Sequence, residues 1–145
     1  MDHVAIMKKS WKLLPKILLG QKTIESRWYQ TKKDPWGKIS PGDRVYFKNS
    51  GEKISVRATV DKVLEFEDLN PGRAKDILDR WGIEDGIEKG ERGKYFELFK
   101  DKRYCLLIFL KEPAKISPFS VNKKGFGMMA AWLTVPSVDS IRNGN

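Results

Sequence analysis

Lys22, Glu25 and Arg27 are the side chains of this sequence best placed to do chemistry, and they stand close together in the run Gly20-Gln21-Lys22-Thr23-Ile24-Glu25-Ser26-Arg27. The stretch from Thr23 to Tyr29 is β-branched and then alternating, which predicts a strand. Residues two apart on a strand share a face, so Glu25 and Arg27 point the same way, and Thr23 joins them if the strand begins that early. A carboxylate there accepts from the N–H of a base, and a guanidinium offers a planar fork to a phosphate or a base edge. Lys22 offers a phosphate contact or, if desolvated, a general base. Gly20 frees the backbone where the preceding helix ends, so that Lys22 can be aimed into the same cleft. The plainer reading of these residues is a surface ion pair between Glu25 and Arg27 beside a solvated Lys22.

Further contacts for a polyanion or a base lie nearby. Trp28, Tyr29 and Trp36 are close enough in sequence to stack a base, although tryptophans also serve as core. Lys32 and Lys33 beside Trp36 form a patch for backbone phosphates, or a solvated pair. Lys123-Lys124-Gly125-Phe126-Gly127 is basic, glycine-rich and aromatic, and it is suited to closing over a ligand.

Composition narrows the classes. With one cysteine (Cys105) and one histidine (His3), neither a zinc site nor a Cys–His dyad is expected, and no metal or cofactor is implied. Cys105 sits in an apolar run and reads as a buried, inert thiol. The start, Met1-Asp2-His3-Val4, lacks a signal-peptide pattern, and no apolar run suffices to span a bilayer. A cytoplasmic protein without a membrane partner is expected, as a monomer. The net charge is +9, and residues 1–60 carry 13 Lys/Arg against 5 Asp/Glu while residues 61–145 carry 15 against 14. Such asymmetry fits a positive surface for a polyanion, or merely a lysine-rich solvated face.

The elements that must hold these residues can be read in order. His3–Met7 is a buried strand, followed by a helix capped by Ser10 and running to Leu19, with Pro15 near its first turn. After the strand Thr23–Tyr29 comes a polar loop, a turn at Ser40–Asp43, a strand Arg44–Lys48, a turn at Asn49–Glu52 and a long alternating strand Ile54–Glu65. Asn70-Pro71 starts a helix whose apolar face is Ala74, Ile77, Leu78 and Trp81, ended by Gly82. Glu84–Gly93 reads as a mobile charged loop, Tyr95–Phe99 as a short helix, and Arg103–Lys111 as a central strand. Ala114–Ile116 and Trp132–Val135 are further strands, and the tail from Pro136 is expected to fray.

The octad beginning at Gly20 resembles the G-x-K-x-x-E-x-R signature of the ASCH domain, a member of the PUA-like superfamily. The opening strand and helix, the Pro41-Gly42-Asp43 turn before Arg44–Phe47, and the later central strand are similar in order, over about residues 3–135. The resemblance implies an α+β fold: a PUA-like mixed or antiparallel β-barrel of five to six strands with short flanking helices. It implies one domain over residues 1–135, a flexible tail over 136–145, a cleft beside the first helix, and roles in RNA binding, RNA processing or nucleoside chemistry. PUA-like folds tend to place polar ligand contacts at strand ends, here Lys48, Asn49 and Ser50. Some small ASCH proteins are amidohydrolases of acetylated cytidine that use the motif lysine, a threonine three positions on and a distant glutamate. Lys22 matches the lysine, Glu25 stands where the threonine would be, and Glu65 or Glu67 is the distant acid on offer. Other ASCH proteins are ribonucleases. The leading expectation is a module that binds RNA or a modified nucleotide. The alternatives are a hydrolase using Lys22 and Glu25, and a protein-interaction domain.

Overall fold

A computed structural model describes residues 1–143. The chain runs through β1 (Asp2–Met7), α1 (Leu13–Leu18), β2 (Ile24–Tyr29), β3 (Arg44–Asn49), β4 (Ile54–Phe66), α2 (Pro71–Trp81), α3 (Arg92–Phe99), β5 (Tyr104–Phe119) and β6 (Trp132–Val135). Short 3-10 turns lie at Lys9–Trp11, Lys89–Glu91 and Val138–Ile141. The strands form one sheet in the order β2-β5-β4-β3-β1-β6, with β1 and β3 parallel and the remaining pairs antiparallel. The sheet curls into a half-barrel flanked by the helices, an α+β architecture of the expected kind.

The curl comes from β4 and β5, whose pairing shifts register between Ile54 and Val56, Arg57 and Thr59, and Val60 and Lys62. Each bulge bends its strand and adds twist. Lys111 pairs with Thr59 and Ala114 with Arg57, so β5 carries one extra residue at Glu112-Pro113. Glu112 takes a left-handed conformation there, φ 54°. Proline has no N–H for a ladder, and a bulge is where a strand tolerates it. The two strands expected at 103–111 and 114–116 are therefore one bent strand.

Alternation along β5 sorts the core into layers. Leu106 and Ile108 face the barrel interior with Val45, Phe47, Val56, Ala58 and Val60, and α1 plugs this layer with Leu13, Leu14 and Ile17. Cys105 and Leu107 face outward, where Ala74, Ile77 and Leu78 of α2 and Tyr95 of α3 cover them together with Ile24 and Trp28 of β2. Cys105 is fully buried, and burial pushes its thiol well above the ordinary value. Asn70 caps α2 by accepting from the Arg73 N–H at 2.9 Å, and Pro71 takes the first helical position, as its sequence requires.

Three expectations are corrected. The first helix does not start at Ser10: Lys12 adopts φ 54° and splits the segment into a 3-10 turn and α1. Pro15 would clash with the carbonyl four residues back if the helix were continuous. The segment from Glu84 is no loose loop, because the N–H groups of Thr23 and Ile24 both donate to the Glu84 carbonyl, and Asp85 and Ile87 are buried. The segment from Pro136 does not fray where it is described. Val138 is buried and its N–H donates to the Asp2 carboxylate at 2.8 Å, while the Asn143 N–H donates to Ser120.

Candidate functional site

Among the described residues β2 is an edge strand, paired only with β5. The Leu110 N–H donates to the Thr23 carbonyl, which turns the backbone groups of Ile24, Ser26 and Trp28 toward the open edge. Side chains close part of that edge. The Lys22 ammonium donates to the Ile24 carbonyl at 2.7 Å, and the Ser26 N–H donates to Asp85 Oδ1 at 3.2 Å.

Lys22 is 2% exposed. Its three N–H bonds meet four acceptors: the Ile24 carbonyl, the Asp85 carbonyl at 2.6 Å, Asp85 Oδ1 at 2.6 Å and Glu25 Oε1 at 3.1 Å. Glu25, also buried, uses Oε2 to accept from Arg27 Nε at 2.9 Å. The Arg27 fork continues to the Ala131 carbonyl at 3.2 Å, and its guanidinium lies 5.0 Å from the Trp132 ring. On the other side Ser26 Oγ donates to Asp85 Oδ2 at 2.5 Å and accepts from Trp28 Nε1 at 3.1 Å. One chain of polar contacts thus runs from Trp28 through Ser26, Asp85, Lys22, Glu25 and Arg27 to Ala131.

Burial alone would push the Lys22 ammonium down, but the Asp85 and Glu25 carboxylates more than reverse this, and its pKa lies above the ordinary lysine value. Every N–H of Lys22 is thus engaged by a neighbouring acceptor. Burial lifts the Asp85 carboxyl above the usual range, against the pull of Lys22.

The polar chain lines one side of a cavity of about 250 Å³ beside α1, between the open edge of β2, the end of β1 and α3. The other walls are aromatic: Trp28 stacks flat on Phe99 at 4.7 Å, and Trp11 meets Tyr95 edge-on at 5.3 Å. Lys8, Met7 and Ala131 also line it.

Of the residues singled out from sequence, Lys22, Glu25, Arg27, Trp28 and Tyr29 come together here. Trp36 does not. It packs against the barrel core and Tyr104, with the Lys32 ammonium 5.6 Å from its ring. Lys32 also pairs with Glu67 at 3.6 Å, and Lys33 is exposed. Lys48 and Ser50 sit at the end of β3, and Lys124 and Phe126 in the loop before β6, all outside the cavity lining. Neither acid expected to join the motif does so: Glu65 accepts from the Gly37 N–H and Glu67 faces Lys32. The acid that does is Asp85, which sequence reading passed over. Its signal was the Asp85-Gly86 dipeptide after α2. Gly86 has φ +81°, and a Cβ on it would lie 3.2 Å from the Lys22 side chain, so the close approach needs a glycine.

Among the described residues, no cluster of three or more His, Cys, Asp or Glu is placed to hold a metal ion, and no helix is long and apolar enough to cross a membrane. No family model and no curated protein matches the sequence. Solved structures do match. An ASCH protein from Zymomonas mobilis superposes with a TM-score of 0.66 at 14% identity, over 98% of this chain and 96% of that one. The chain has the ASCH fold. Two further structures match at lower TM-scores. A hypothetical protein is 24% identical with a TM-score of 0.53, over 79% of this chain and 100% of that one. The N-terminal domain of Staphylothermus marinus McrB is 14% identical with a TM-score of 0.51, over 82% of this chain and 76% of that one. Within the ASCH fold, the Lys22–Arg27 motif occupies the open edge of β2.

Proposed function

We propose that this ASCH-fold chain binds RNA or a nucleotide by taking one base into the cavity beside β2. The observation that carries the reading is the cavity itself: an opening of about 250 Å³, walled by Trp11, Trp28, Tyr95 and Phe99. That volume lies just under the range of roughly 300–1,000 Å³ typical of small-molecule sites, so it suits a single ring system better than a larger ligand. Flat aromatic walls favour a planar, weakly hydrated guest, and the open edge of β2 supplies hydrogen-bonding groups. The Ser26 carbonyl and the Trp28 N–H face that edge. The motif's charged residues act as the frame: Lys22, Glu25, Arg27 and Asp85 hold β2 and the 84–87 segment in place.

The test is titration of the protein with the four ribonucleosides and a mixed-sequence single-stranded RNA, followed by tryptophan fluorescence. Trp28→Ala should cost roughly 1–3 kcal/mol of affinity, the usual worth of one stacked base. Absence of any fluorescence change with every ligand would refute the reading.

A second reading rests on one contact. Ser26 Oγ donates to the Asp85 carboxylate inside the cavity, the arrangement of a hydroxyl beside a base. A hydrolase acting on a modified nucleoside or on RNA would use this pair instead of Lys22 and Glu25. Turnover abolished by Ser26→Ala, with binding retained, would favour it over a pure binder.

A further inference from the structure

We infer that the ligand carries a phosphate that is met by Lys8, in the cavity lining, and by Lys94, beside its Tyr95 wall, two cations outside the motif. This deepens the base-binding reading and rests on it.

The inner wall has no charge left to offer. Lys22 and Arg27 face Glu25 and Asp85, two cations against two carboxylates, and all four are engaged with one another. A phosphate pushed into this wall would have to break buried ion pairs and would find no spare N–H on Lys22. The rim differs. Lys8 lines the cavity and is exposed, with its ammonium 5.0 Å from the Trp11 ring. Lys94 is exposed on α3, with its ammonium 5.8 Å from the Tyr95 ring. Trp11 and Tyr95 touch each other edge-on, so the two ammoniums flank one aromatic pair in the cavity wall. Among the described residues neither lysine lies in an ion pair, whereas the adjacent Lys9 is held by Glu52 at 2.9 Å.

A base seated between aromatic walls leaves its sugar and phosphate at the mouth. Lys8 in the lining and Lys94 beside the Tyr95 wall supply point charges without fixed geometry, which suits a phosphate in either of two settings. The shared chemistry is a nucleoside phosphate, whether free or as one residue of a single-stranded RNA.

The experiment compares wild type with the Lys8→Ala/Lys94→Ala double variant. The probes are the four ribonucleosides, their 5′-monophosphates and a mixed-sequence RNA octamer. Both changes are on exposed side chains, and matched thermal melts verify the fold. The monophosphate should bind more tightly than its nucleoside. Raising salt from about 50 to about 200 mM should weaken monophosphate binding and leave nucleoside binding unchanged, because exposed charges are screened by salt. The double variant should erase the preference for the monophosphate, flatten its salt dependence and leave nucleoside affinity within about twofold. An octamer much tighter than the monophosphate, with the same lysine dependence, assigns the phosphate to RNA; equal affinities assign it to a free nucleotide. If nucleoside and monophosphate bind alike and the variant matches wild type, the phosphate inference fails while the base site stands. If no probe binds, both fail.

Discussion

The Arg27 guanidinium donates to the Ala131 carbonyl at 3.2 Å, across 104 residues of chain. It joins the open edge of β2 to the start of β6, the two outer strands of the sheet, with a side chain where the described residues form no strand pairing. The same carbonyl accepts the Ile6 N–H at 2.9 Å. Arg27→Lys keeps the charge but loses the planar fork that serves Glu25 and Ala131 together. We expect a loss of about 2 kcal/mol, in the range for hydrogen bonds to charged groups, together with faster amide exchange at Ile6. Unchanged protection at Ile6 would show that Arg27 does not secure this seam.

Lys22 and Asp85 are buried partners 2.6 Å apart. Removing one leaves an uncompensated charge, so Lys22→Met should cost about 3–5 kcal/mol in urea unfolding. The Lys22→Met/Asp85→Leu double variant should cost less than the sum of the singles, since it removes both charges. Strict additivity would contradict the pairing. The sign in pH follows from the raised lysine pKa: the stability from Lys22 is whole below the ordinary lysine value, about 10.4, and drains as pH climbs through the folded value.

Gly86 and Gly42 both have positive φ, at +81° and +92°. A Cβ at Gly42 meets nothing within 4 Å, whereas one at Gly86 presses on Lys22 at 3.2 Å. Gly42→Ala should therefore show the backbone penalty alone, roughly 1–2 kcal/mol. Gly86→Ala should cost more and also weaken binding in the cavity. Equal costs in thermal melts would argue against a tight fit at Lys22.

His3 is fully buried between Asp43 and Trp132. Trp132 Nε1 carries only a donor, and at 3.1 Å it makes His3 Nδ1 an acceptor; Nε2–H then donates to Asp43 at 2.9 Å. Burial drives the His3 pKa below the ordinary value, against the pull of Asp43. The stability from a neutral His3 is whole above about pH 6.5 and is lost as pH falls through the folded pKa. Asp43, whose pKa is lowered by His3, Ser40 and the N-terminus despite its partial burial, extends the loss to more acid pH. A ring-proton NMR titration midpoint above 6.5 would overturn this assignment.

The fold was legible where local pattern and tertiary role agree. Alternation of Ile54, Val56, Ala58 and Val60 and the Asn70-Pro71 cap foretold β4 and α2 because each needs only its own neighbours in sequence. β5 was read as two strands because the bulge at Glu112-Pro113 that joins them depends on pairing with β4. In the candidate site, the motif's spacing placed Glu25 and Arg27 on one face. It did not disclose that Lys22 would turn away from solvent, since the partner that draws it in, Asp85, lies 63 residues on. Tyr95 and Phe99 were readable as a helix, but only packing against Trp11 and Trp28 makes them walls of a cavity.

Cys105 lies sealed beneath α2 and α3 with a thiol that resists ionisation at neutral pH. The chain is thereby an unmodified host for maleimide chemistry. A cysteine introduced in place of Met128, which is 94% exposed in the loop before β6, would take a dye selectively. Energy transfer from the five tryptophans to that dye would then report the approach of this loop to the cavity mouth, with no native thiol to remove beforehand.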